Sequence, residues 1–249
     1  MLTNTSSVFA VIDENHKPLT YRTHVKAPVR STPRGALVKF FEDDTRFTSA
    51  ERRDNWIKVT GHFPDNQWQP LDKPLWINSY YAERFYPQLP PKKSKRPKGA
   101  SRLVAIDKSD FLLKVIEING NQKKVIYKTK VGLGKDGCMS KEKGGRCYYT
   151  KPGEYQVRWK VEDEKGIEWC IPKTMEKEYK RDINAGNRCF RGPLGTHALN
   201  IGGSYAIHGT NRPRTIGKKL SHGCIRARNK DVRKIYAMID IGDKVIITD

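Results

Sequence analysis

SHGCIRARNKD at 221–231, with IHGTN at 207–211 just upstream, decides how the second half of this chain is read. Cys224 stands among small, basic and histidine neighbours, sixteen residues after His208. A cysteine attacks a carbonyl only as thiolate, and an ordinary thiol with a pKa of about 8.5 is mostly protonated at neutral pH. The neighbourhood offers means to change that: His222 is two residues away, Arg226 and Arg228 add positive charge, and Gly223 lets a substrate approach the backbone. His208 is the candidate general base if the fold brings it to the sulfur. Downstream, NKDVRKIYAMIDIG carries Val232, Ile235, Tyr236 and Ile239 at helical spacing. Asn229 and Asp231 are its candidate caps, and the unbonded N–H groups at such a helix start would favour a thiolate and a substrate oxyanion. A lone cysteine or histidine is usually structural. Here the two segments reinforce each other and favour an enzyme.

Together the segments resemble the L,D-transpeptidase family with its YkuD-type catalytic domain. That family's pattern runs His-Gly-Thr/Asn, a spacer carrying Ile-Gly, Ser-x-Gly-Cys-Ile-Arg and then Asn-x-Asp. The matching positions are His208, Gly209, Thr210, Asn211, Ile216, Gly217, Ser221, Gly223, Cys224, Ile225, Arg226, Asn229 and Asp231. Upstream, TKPGEYQVRW at 150–159 resembles the family's Thr-Pro-x-Gly-x-Tyr strand entry, and RGPLGTHALNIGG at 191–203 its Asn-Pro-Leu-Gly segment. Lys151, between Thr150 and Pro152, and Arg191-Gly192 depart from the usual order. The resemblance covers about 102–249 and implies a mainly β fold with a few helices.

The resemblance further implies that Cys224 attacks the carbonyl between the third residue of a peptidoglycan stem peptide and its terminal D-alanine, giving a thioester. His208 would serve as general base and acid, oriented by the backbone at Gly209. Gly223 and Cys224 would offer oxyanion N–H groups, and Arg226 would support the site or meet a substrate carboxylate. Ser221, His222, Thr210, Asn211 and Tyr205 would contact substrate. A second stem's amine, another amine or water would resolve the thioester, so transfer with 3-3 cross-linking and L,D-carboxypeptidase or endopeptidase activity both stay open. A non-catalytic wall- or polyanion-binding protein would not need His208 and Cys224. No cofactor and no metal are expected, because the cysteines lack paired C-x-x-C spacing and the histidines are scattered. His197, in an alternating strand-like stretch, reads as a cleft-lining or surface residue.

Lys plus Arg outnumber Asp plus Glu by 48 to 27, a net charge of +21 over 249 residues. Such a balance attracts polyanions. The basic residues are spread along the chain and no helix-turn-helix, zinc-finger or base-stacking signature is present, so nucleic acid is not expected. Stem peptides and anionic wall polymers are the partners the charge also suits. PQLPPKKSKRPKGASR at 87–102 has the composition of a semi-rigid solvated linker. The expected domains are therefore 19–86, a linker at 87–101, and a catalytic domain at 102–249.

Before the linker, ALVKFF (36–41), WIKVTGHF (56–63) and PLWINSYY (74–81) are separated by polar turns, the texture of a small antiparallel β domain. The Trp-x-x-Val and Trp-Ile pattern resembles bacterial Src-homology-3-type barrels, which implies a wall-targeting module. Trp56, Trp68, Trp76 and nearby tyrosines then either line a groove for wall material or form the barrel's core. After the linker, LVAIDKSDFLLKVIEING and KKVIYKTKVGLG alternate around a hairpin turn at NGNQ (119–122), and KTMEKEYKRDINAG reads as a helix. With Cys224 set aside, four cysteines remain; CMSKEKGGRC suggests Cys138 with Cys147, leaving Cys170 with Cys189, or else all four are buried thiols. Disulfides would suit an oxidising envelope, periplasm or cell wall. MLTNTSSVFAVIDENHKPL has no basic n-region or apolar core, so no signal peptide is expected in it and export must rest on something outside it. No segment has the ~20 apolar residues of a membrane span.

Overall fold

The computed structural model describes the backbone of residues 9–10 and residues 18–64, 67–86, 93–140, 145, 147–172, 175–202 and 204–249. Most of the N-terminal stretch, residues 87–92 of the expected linker, the middle of CMSKEKGGRC and the start of KTMEKEYKRDINAG lie outside the described residues. The chain divides into two compact units, 1–87 with 170–190, and 88–169 with 191–249.

In the first unit, alternation of apolar and polar residues yields an antiparallel sheet whose strands lie in the order 37–41, 27–30, 69–78, 56–62, 46–49, 19–23 and 82–84. Trp56–His62 shows the reason, because Ile57, Val59 and Gly61 are buried while their neighbours are not. Tyr21, Val29, Phe47, Ile57, Val59 and Ile77 form its core. The three tryptophans divide: Trp76 is buried, Trp56 is half-buried, and Trp68 is exposed with its Nε1–H donating to Thr48 Oγ1 at 3.1 Å. Within residues 170–190, the helix expected over KTMEKEYKRDINAG shrinks to Lys180–Asn184. None of those five residues is buried, so no apolar stripe extends the helix by packing. Cys170 and Cys189 are joined by a disulfide.

The second unit carries two main sheets with one core, beside a small parallel pair at 133–134 and 219–221. The larger runs in the order 122–130, 112–119, 101–107, 244–248 and 153–156, the smaller in the order 159–162, 197–202, 205–208 and 225–226. Val104, Leu113, Val115 and Val245 from the first meet Leu199, Ile207 and Ile225 from the second, with Val232, Ile235 and Ile239 of the Asn229–Met238 helix region in the same cluster. The NGNQ turn closes the hairpin 112–119 to 122–130, with Gly120 at φ 56°. Within the stretch read as linker, Ser94 N–H donates to Asp240 Oδ1 at 2.7 Å, and Arg96 pairs with Asp240 and Asp243 at 2.6 and 2.8 Å. Among the described residues no helix is long and apolar enough to cross a membrane.

Candidate active site

Strand Tyr205–His208 runs parallel to Ile225–Arg226, with Ile207 opposite Ile225 and His208 opposite Arg226. Residues in register on adjacent strands share a face, and successive residues alternate faces. Ile207 and Ile225 therefore both enter the core, at 0% exposure, and His208 and Arg226 share the opposite face. Cys224 ends the turn that leads into this strand, two residues before Arg226. The hydrophobic demand of two isoleucines thus aligns His208 with Arg226.

His208 is buried, with Nδ1 2.6 Å from Gly209 O. A carbonyl oxygen only accepts, so Nδ1 carries the proton and Nε2 presents its lone pair. Burial lowers the His208 pKa to about 4; the Gly209 carbonyl opposes this and the Arg226 charge adds to it. The imidazole is neutral at pH 7.

The backbone at Gly209 is held by a close crossing. A Cβ built on Gly195 would lie 2.1 Å from Asn229 Oδ1 and 2.5 Å from Gly209 Cα, and one on Gly209 would lie 2.2 Å from the same Oδ1. Two glycines are needed for the strands to pass there. Gly209 N–H donates to His197 O at 3.1 Å, and Thr210 N–H to Asn229 Oδ1 at 3.1 Å. Asn211 N–H donates to Gly192 O at 3.1 Å.

These contacts correct the reading of Asn229 and Asp231 as helix caps. The N-cap is Arg228, without a side-chain capping bond. Asn229 is spent on Thr210, while buried Asp231 accepts from Tyr127 Oη–H at 2.8 Å and Thr129 Oγ1–H at 3.0 Å, tying helix to sheet.

The turn carrying Cys224 is locked by one hydroxyl. Ser221 Oγ–H donates to Cys224 O at 2.6 Å and accepts from Gly223 N–H at 3.1 Å. The Gly223 N–H, read as an oxyanion donor, is thus committed inside the turn. Ser221 and Thr210, read as substrate contacts, are 2% and 5% exposed. They brace backbone, because a buried hydroxyl satisfies neighbouring orphan groups before it can reach a ligand. Gly223 sits at φ 113°, and a Cβ there would lie 2.8 Å from the Tyr205 ring. Tyr205 donates to Tyr149 O at 3.0 Å, and His222 meets the Tyr148 ring edge-on at 4.8 Å. Cys224 is half-buried and outside both disulfides, with Sγ 4.0 Å from Ser204 O.

Several supporting residues escaped the sequence reading. Thr150 Oγ1 accepts from Gly134 N–H at 2.9 Å and donates to Gly223 O at 2.8 Å. The segment Tyr148–Thr150 follows Cys147, whose disulfide to Cys138 closes the preceding loop, and Cys138 Sγ lies 3.8 Å from Tyr149 Oη. The sequence places Thr150 at the strand entry but does not show this bracing role, because its partner Gly223 is 73 residues away. His197, read as a cleft or surface residue, is buried and edge-on to Tyr236 at 4.9 Å, and Nε2 reaches Glu162 at 3.4 Å. Its apolar neighbours on the strand, Ala198 and Leu199, carry it under the helix.

The fold and site define a β domain in which a half-buried cysteine ends the turn ahead of a strand that runs parallel to the one carrying a buried, neutral histidine. The model of the L,D-transpeptidase (YkuD) catalytic domain matches residues 101–247, and the chain belongs to that family. It is similar to the probable L,D-transpeptidase YbiS of Escherichia coli K12, 37% identical over 103 residues that make up 37% of this chain and 33% of that protein. It is also similar to the probable L,D-transpeptidase ErfK/SrfK of Salmonella typhimurium, 46% identical over 57 residues, 23% of this chain and 18% of that protein. The chain thus spans a third or less of the length of these curated relatives. The catalytic domain of the Enterococcus faecium L,D-transpeptidase, solved by NMR, aligns over 59% of this chain and 97% of its own, at 18% identity and a TM-score of 0.41.

Proposed function

We propose that this chain is a cysteine L,D-transpeptidase acting on peptidoglycan stem peptides, with Cys224 as nucleophile. The observation that carries the reading is His208, held as the neutral Nδ1–H tautomer by Gly209 O and paired in register with Arg226, two residues after Cys224. In the proposed reaction, Nε2 takes the thiol proton as sulfur attacks the carbonyl before the terminal D-alanine. The tetrahedral intermediate collapses, the C–N bond breaks, and the proton passes to the departing amine. The acyl group stays on Cys224 as a thioester. A second stem's amine then attacks, loses its proton to His208 and leaves with the acyl group as a new amide, restoring the thiol. A 3-3 cross-link results when that amine belongs to a third stem residue.

Arg226 supplies positive charge on this face, which suits a substrate carboxylate. The oxyanion falls to the backbone N–H groups of the 223–224 turn, and Gly223 would exchange its bond to Ser221 for one to substrate. Tyr205, His222 and Asn211, none of them buried, are the proposed substrate contacts. Such substrate places the protein in the cell envelope, with residues 19–86 as a wall-targeting module.

Incubation with purified disaccharide-tetrapeptide, followed by mass spectrometry, tests this. The expected product is a dimer lacking one D-alanine. Tripeptide alone would assign the acceptor to water and make the protein an L,D-carboxypeptidase. Unchanged tetrapeptide overturns the catalytic reading.

A further inference from the structure

The first unit carries a groove of about 460 Å³ lined by Pro28, Arg30, Arg34, Trp56, Asn78, Tyr80 and Tyr81. No acidic side chain lines it. Neither arginine forms an ion pair with an acidic side chain among the described residues. Their placement is nonetheless built. Arg30 Nη1–H donates to Gly35 O at 2.8 Å, which fixes that guanidinium at the turn and leaves its other N–H groups for a ligand. The turn itself is closed by Ser31 N–H to Ala36 O at 3.0 Å and Gly35 N–H to Thr32 O at 2.9 Å. Within it, exposed Arg34 sits at φ 62°, a left-handed conformation that is uncommon for a residue with a Cβ.

The other wall is equally ordered. Asn78 Oδ1 accepts from Tyr80 N–H at 2.9 Å, so its amide NH₂ is the polar group it offers. Tyr80 stands edge-on to Tyr81 at 5.0 Å and under the Arg188 guanidinium at 5.0 Å. The groove therefore combines two cations, further hydrogen-bond donors and three aromatic rings, at a volume within the ordinary range for small-ligand sites. Donors paired with rings select an anion attached to amide or sugar faces, whereas a bare polyphosphate would use only the charge.

We infer that this groove is a second binding site, separate from Cys224, for a carboxylate-bearing peptide, and that its ligand is a stem peptide of peptidoglycan. The carboxylate would pair with Arg30 and Arg34, while the peptide planes lie along Trp56, Tyr80 and Tyr81. The identity of the peptide rests on the reading of the catalytic site; the preference for a carboxylate does not.

The test uses the full chain carrying Cys224→Ala, labelled with ¹⁵N and titrated with soluble disaccharide-tetrapeptide. The expected result is movement of the Trp56 indole and Asn78 side-chain amide signals. With Arg30→Gln and Arg34→Gln added, their midpoint should shift about tenfold or more to higher ligand, while signals around residues 205–226 keep their response. If the Trp56 and Asn78 signals stay still at millimolar ligand, the groove is not such a site. If a ligand whose carboxylates are all amidated moves them equally, or polyphosphate moves them and the tetrapeptide does not, the carboxylate assignment is overturned. Failure of the catalytic reading has a different signature: signals around 205–226 stay still and the wild type leaves tetrapeptide intact, whatever the groove does. Unchanged amide spectra outside the groove show that the arginine variants fold.

Discussion

Lowering the pH from 7 to 5 should cost this protein stability through one buried ring. His208 has its pKa lowered from the ordinary 6.5 to about 4, chiefly by burial. In that interval the unfolded chain takes up a proton that the folded one refuses, so stability rises with pH and is lost as pH falls from about 6.5 toward 4. A shift of about 2.5 pH units corresponds to about 3 kcal/mol in full, of which about 2 kcal/mol is gone by pH 5. His24, His62 and His197 are also shifted downward by burial and contribute in the same direction. The variant His208→Gln removes only the ring in question, so the informative quantity is the difference between wild type and variant. Urea unfolding of both, followed by a probe in the second unit (88–169 with 191–249), should show that difference falling by about 2 kcal/mol between pH 7 and pH 5. A difference that stays constant across this range would mean that His208 titrates near its ordinary value, and the neutral, Nδ1-protonated base would lose its physical basis.

Three further outcomes are expected. Thr150→Val strips the hydroxyl that joins Gly134 N–H to Gly223 O, and should cost about 2 kcal/mol in thermal unfolding as well as slowing thioester formation, with Thr150→Ser restoring both. Gly195→Ala forces a Cβ to within 2.5 Å of Gly209 Cα at a residue with φ 63°; destabilisation above about 2 kcal/mol should be measured, and a neutral result would contradict the backbone crossing beneath His208. Replacing Cys138 and Cys147 together by serine removes a disulfide spanning nine residues, and chain entropy sets the expected loss at about 2 to 3 kcal/mol. Turnover should fall with it, because the Tyr148–Thr150 segment that follows this loop braces Gly223.

Much of this arrangement is legible in the sequence for physical reasons. Alternation in WIKVTGH and LVAID yields strands because burial on one face and exposure on the other cannot be met by a helix. NGNQ turns because glycine accepts a positive φ, and the pairs Cys138–Cys147 and Cys170–Cys189 form as the loop at 138–147 suggests. The spacing of Val232, Ile235 and Ile239 yields the helix that follows Cys224. What stayed hidden depends on long-range contact. Asn229 and Asp231 look like caps because caps are local, yet both are claimed by partners on distant segments. Ser221 looks like a ligand residue because its burial cannot be read from neighbours in sequence. KTMEKEYKRDINAG has helical composition, but of Met175, Tyr179 and Ile183 at helical spacing only Met175 is buried, and propensity alone does not hold a helix together.

The central claim is that Cys224 carries the acyl group. Intact-protein and peptide mass spectrometry, on chain quenched in acid shortly after mixing with disaccharide-tetrapeptide, tests it most directly. The account requires an adduct of substrate minus D-alanine on the peptide containing Cys224, absent from Cys224→Ala and accumulating far more slowly in His208→Gln. An adduct on any other residue, or product formation that survives Cys224→Ala, would contradict it.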